Sequence, residues 1–151
     1  MNELNTALGF LAGLFAALFV ERARETRHRI GLLRVIEWQL ESFIDACEWA
    51  VRSKIWDSSG VENFANFIIH TFERHPDLVV AASRHRTRRA LSNVYAEAAG
   101  ILSLIALHRE QVKARVPPTV LDAANYEGLI KRCKDTLALL QQARWWLLFA
   151  G

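Results

Sequence analysis

The chain has 151 residues, is 52% hydrophobic and 23% charged, and carries a formal net charge of +3 at pH 7 with three prolines, seven glycines and two cysteines. That balance suits one enclosed, helix-rich core, and it excludes a disulfide framework, a zinc-finger spacing and a low-complexity linker. The positive excess is local, concentrated in residues 21–34 and 84–89.

The first element is the uncharged run Leu4–Val20, LNTALGFLAGLFAALFV. As a helix it covers about 25 Å against a hydrocarbon core of about 30 Å, which predicts a short membrane span. Gly9, Gly13 and Ala17 recur every fourth residue on one face, where small side chains let a second backbone approach. A cleaved secretory signal is disfavoured by the missing positive n-region and the missing small-x-small site. A buried core helix accommodates the same composition and stays open as an alternative. Arg22, Arg24, Arg27, Arg29 and Arg34 follow at once, whereas the preceding flank has no Lys or Arg. The positive-inside rule then puts the N-terminus outside and residues 21–151 in the cytoplasm. Arg22, Arg24, Arg27 and Arg29 are expected at the lipid headgroups, at roughly 1 kcal/mol of attraction each.

Beyond the span nothing breaks the helix before Trp56 except Gly31. Ile30, Leu33, Glu37, Leu40, Ile44, Cys47 and Val51 form a heptad-like seam interrupted by one acid. Trp38, Trp49 and Trp56 lie off that seam and predict a second interface, with another helix of the chain or with a neighbouring subunit. Asp57-Ser58-Ser59-Gly60 reads as a turn, with Ser59 and Glu62 as a capping box for a second helix. Its apolar face is Val61, Phe64, Phe67, Ile68 and Phe72, and His75-Pro76 ends it. An apolar stretch from Leu78 to Ala82 leads into the basic run Ser83–Arg89. A third helix covers Ala90–Val116, with Leu91, Val94, Ala98, Ile101, Leu102 and Ile105 on one face, and Pro117-Pro118 stops it. The last starts near Thr119, with Asp122 in a second capping pattern and a break near Asn125. Its face is Leu129, Cys133, Leu137, Leu140 and Leu147. The fold class is therefore all-α: a transmembrane helix over residues 1–20 continuing into a cytoplasmic bundle of about four helices over 21–151. The apolar C-terminal run places Trp145 and Trp146 either at the bilayer interface, if the fourth helix returns to the membrane, or in a bundle or subunit contact.

No paired acid and base and no nucleophile with a neighbouring base stands out, so no catalytic residue, metal or cofactor is assigned and the chain is read as a non-enzyme. His70, His75 and His108 read as surface or boundary residues. Helical nucleases of the HEPN class use Arg followed at short spacing by His, and Arg22 with His28 matches that spacing but abuts the expected membrane. Arg84, His85, Arg86, Arg88 and Arg89 form a cluster able to grip the phosphates of a nucleotide or RNA. The same residues also suit a salt-bridged face with acids such as Glu73 and Glu97. Cys47 and Cys133 read as reduced core residues.

The single N-terminal span, Arg-rich exit, long helix and compact bundle resemble small bacterial single-span membrane proteins with a cytoplasmic helical domain. Among these are the pore-forming membrane accessory proteins of RNA-targeting CRISPR systems. The resemblance is one of layout over the whole chain. It implies a homo-oligomer in the bacterial inner membrane that forms or gates a pore in antiviral defence, with itself, the bilayer and a CRISPR effector as partners. A membrane-tethered module binding a nucleotide signal or RNA through the second basic cluster, and a phage lysis or exclusion protein, are the alternatives.

Overall fold

The computed structural model describes residues 2–77 and 85–149, with side chains described over 10–77 and 85–148. Among these residues the chain is all-helical and has four helices: α1 (Asn2–Ser53), α2 (Ser59–Arg74), α3 (His85–Lys113) and α4 (Ala123–Phe149). α1 is a single helix of 52 residues. It contains no proline, and the backbone freedom of Gly31 costs only about 1 kcal/mol in a helix this long.

α1 and α3 end alike. Lys54 takes φ 55° and Arg115 φ 57°. In each case two backbone N–H groups reach back to the last turn: Lys54 to Val51 (3.3 Å) and Ile55 to Ala50 (3.1 Å), then Arg115 to Val112 (3.1 Å) and Val116 to Gln111 (3.0 Å). Both are Schellman motifs built without glycine, so Pro117-Pro118 follows an end already made. The N-termini differ from the sequence reading. Ser58, not Ser59, caps α2, without a side-chain bond, and Glu62 is spent elsewhere. α4 starts at Ala123, and Asp122 with Asn125 forms a reciprocal box: Asn125 N–H to Asp122 Oδ1 at 2.9 Å and Asp122 N–H to Asn125 Oδ1 at 3.2 Å. Asn125 therefore secures the helix start and does not break it.

Sequential helices pack on one another, and the most extensive packing is that of α4 on α1, which closes an up-down-up-down bundle. α1 serves two partners, so its seam is wider than one heptad stripe. Ile36, Phe43 and Ala50 are buried beside Leu33, Leu40, Ile44 and Cys47. Glu37, the acid in the seam, meets Arg144 of α4 at 3.0 Å with both side chains largely shielded. Gln39 on the α2 side donates to Thr71 at 2.7 Å. In α2 the buried stripe is Val61, Ala65, Ile68 and Phe72, and Phe67 turns outward at 56% exposure. In α3 the stripe runs on past Ile105 to His108, which is buried with an unpartnered Nδ1 and is not the boundary residue expected.

The end away from the N-terminus of α1 is clasped by polar contacts. Arg109 grips both oxygens of Glu62 at 3.1 and 2.7 Å and also donates to the Asp57 carbonyl at 3.3 Å. That hydrogen bond holds the Glu62 carboxyl below its ordinary range. Tyr126, fully buried, stacks on Trp56 at 5.8 Å and donates to the Trp56 carbonyl. Cys47 and Cys133, far apart in sequence, are both buried and unbonded and meet across the α1–α4 seam. Burial pushes the Cys133 thiol up to about 12, leaving it an inert core group.

Candidate functional site at the basic end of the bundle

The buried core of α1 begins only at Leu33. Before it, every side chain from Phe10 to Val20 is exposed, with Phe10 at 72%, Phe15 at 70% and Phe19 at 68%. α1 thus projects an uncharged apolar rod beyond the bundle. Among the described residues, the one helix both long and apolar enough to cross a membrane is α3, in mid-chain, and not the N-terminal stretch. The described uncharged part of α1, residues 10–20, is eleven residues or about 16 Å, and the rest of the expected span falls where side chains are not described.

Three contacts set the helices in register: Gln39 with Thr71, Phe72 with Tyr95 at 5.7 Å between ring centres, and Glu37 with Arg144. From that level Arg86–Arg89 lie about 9–14 Å further along α3, and Arg22–Arg29 about 12–22 Å further along α1, toward the same end at 1.5 Å per residue. Trp145 and Trp146, at 56% and 52% exposure, come just after Arg144 as α4 arrives there. Tertiary folding therefore collects both basic clusters and the two C-terminal tryptophans where the apolar rod leaves the bundle.

The individual residues fall out as follows. Gly13 faces open space, with no atom within 4 Å of an added Cβ, and Ala17 is exposed. Gly9 lies on α1 where only the backbone is described. Arg24 and Arg27 are exposed, and Arg29 pairs with Glu25. Arg84 lies outside the described residues. His85, Arg86, Arg88 and Arg89 form the exposed first turn of α3, so that helix starts earlier than its apolar pattern predicts. Of the acids expected to neutralise them, Glu97 is paired with Arg132 at 2.6 Å and Glu73 lies 3.8 Å from His70 on its own helix. Arg86 and Arg89, three residues apart, lie about 60° apart around α3, while Arg88 stands about 160° from Arg86. Arg22 and His28 lie about 120° apart around α1, and among the described residues no hydrogen bond or ion pair joins them. Among the described residues, no group of three or more His, Cys, Asp or Glu is placed to hold a metal.

A groove of about 220 Å³ opens between α1 and the end of α4, lined by Phe19, Arg22, Ala23, Thr26, Arg27, Ile30, Leu147 and Leu148. Sequence reasoning missed it because it needs two segments more than a hundred residues apart. No family model, no curated protein and no solved structure matches the chain.

Proposed function

We propose that this chain is a non-enzymatic membrane protein that inserts residues 4–20 into a bilayer, stands its bundle on the lipid surface and assembles with copies of itself, the assembly acting on membrane permeability. The observation that carries this reading is the projecting segment Phe10–Val20, an uncharged rod whose side chains are all exposed. An apolar surface of that kind on a soluble monomer is costly in water, and lipid or another copy removes the cost. Insertion of α1 leaves the core intact. Insertion of α3 would strip Leu91, Val94, Ile101 and Ile105 from the interior and carry Glu97 into lipid, so α3 fits better as a core helix that passes the same length test. The basic end then faces anionic headgroups, at roughly 1 kcal/mol for each Lys or Arg near the surface.

Self-association is supported by the azimuth of α1. Gly13, Gly31 and Trp49 are spaced by eighteen residues, as are Ala17 and Val35. Eighteen residues make five turns at about 3.6 per turn, so these side chains share one face along the whole helix. Below the small residues that face carries Val35, Trp38 and Trp49 at 45%, 59% and 48% exposure, while Trp56 is occupied by Tyr126. Liposome flotation and cross-linking in mild detergent test the reading. The expected result is co-flotation with anionic vesicles and a cross-linked ladder; a chain that stays with the soluble fraction, or runs only as monomer, overturns it. Dye release from the same vesicles tests the permeability role.

A further inference from the structure

We infer that the groove between α1 and the end of α4 is a binding site for one anionic phospholipid, its acyl chain in the groove and its phosphate held by Arg22 and Arg27. The inference rests on the membrane reading above and adds a specific lipid partner to it.

The lining divides into two chemistries. Phe19, Ala23, Ile30, Leu147 and Leu148 supply an apolar trough, and Ala23 is the small side chain that leaves it open. Arg22 and Arg27 are five residues apart, which sets them about 140° apart around the helix, one on each side of the face centred on Phe19 and Ile30. Neither has an ion-pair partner among the described residues, whereas Arg29, outside the groove, pairs with Glu25 and Arg144 with Glu37. The hydroxyl of Thr26 is already committed to the Arg22 carbonyl at 2.9 Å, so the two guanidiniums are the polar groups left to meet a ligand. Charge complementarity therefore selects an anion, and the apolar trough selects one that carries hydrocarbon. The trough is also continuous at Phe19 with the projecting rod Phe10–Val20, so a lipid in the surrounding leaflet reaches it without leaving the bilayer. A guanidinium pairs with phosphate through two parallel hydrogen bonds, and a phosphodiester of net negative charge is favoured over a zwitterionic one, whose own ammonium offsets the phosphate charge.

The test is native mass spectrometry of the full chain in mild detergent, titrated with phosphatidylglycerol or with phosphatidylcholine. The expected result is one retained phosphatidylglycerol per chain, with phosphatidylcholine retained far less. R22Q/R27Q removes the two phosphate contacts and should weaken retention on the order of tenfold or more. R24Q/R29Q removes the same formal charge at the same spacing from outside the groove and should change it by less than about twofold, since exposed pairs contribute little. A23F fills the trough and should abolish retention without touching the buried core, which starts at Leu33. Equal losses in the two charge variants, undiminished binding in A23F, equal retention of phosphatidylcholine, or displacement by glycerol phosphate alone each overturns the site. Flotation with vesicles separates the two levels: a chain that floats but retains no lipid refutes the groove alone, and one that does not float refutes the membrane reading as well.

Discussion

Lys54 and Arg115 hold left-handed backbone conformations that glycine adopts without a Cβ clash, and both occupy the C′ position of a Schellman motif. K54G and R115G should each raise unfolding free energy by about 0.5–1 kcal/mol, the relief of strain exceeding the added freedom of the unfolded chain. Chemical denaturation in detergent, followed by circular dichroism, checks this, with A96G at an exposed mid-helix position of α3 as the control that loses stability. Glu37 and Arg144 form the most shielded ion pair described, and breaking it from one side strands a carboxylate in the α1–α4 seam. R144A should cost about 2–4 kcal/mol, and E37L/R144L should recover most of that. If the single and double variants prove additive, the pair is not coupled. Glu62 sets an acid limb. Its folded pKa lies below the ordinary 4.5 because Arg109 bonds the charged form, so its contribution is present above that value and disappears as pH falls through the folded pKa. E62Q should cost about 1 kcal/mol or less at pH 7 and flatten the stability loss below about pH 4.5. The sequence showed none of these pairings. Arg144 is 107 positions from Glu37 and Arg109 is 47 from Glu62, and only folded helices bring such groups within bonding distance.

At the scale of elements, α1 does three jobs along its length. It is exposed and apolar from Phe10 to Val20, basic to Arg29, and packed on two sides from Leu33 to Ala50. Most of that was legible from the residues, since charge and apolar runs are local properties. The width of its buried face was not, because a heptad pattern reports one neighbour and the helix has two. Phe67 and His108 were misassigned for the same reason. A broad apolar face does not say which edge meets a partner, and a stripe continued at three- and four-residue spacing buries whatever stands next on it. The outward face predicts a discriminating variant. G13I enters open space in a single chain, so helix content and melting should be unchanged. Analytical ultracentrifugation should nonetheless show roughly a tenfold weaker self-association, the size of about 1–2 kcal/mol of lost helix packing. Unchanged association would place the contact on another face.

At the scale of the whole molecule, the core described from Leu33 onward makes no use of the projecting rod. Deleting residues 2–20 should therefore leave the bundle's melting temperature within a few degrees while abolishing flotation with vesicles, read by calorimetry and by gradient sedimentation. Loss of the fold would show that the rod belongs to the core. An all-helical chain, its approximate breaks, most of its core stripes and its two basic clusters followed from the sequence alone, because periodicity, capping residues and charge runs act over a few neighbouring residues. Only the tertiary structure brought Arg22–Arg29, Arg86–Arg89 and the C-terminal tryptophans to one end, and only it opened the groove walled by Leu147 and Leu148 beside Arg22 and Arg27. Helix lengths and the register at which they lock decide which distant segments share a level, and that register is a property of packed side chains and not of any local stretch.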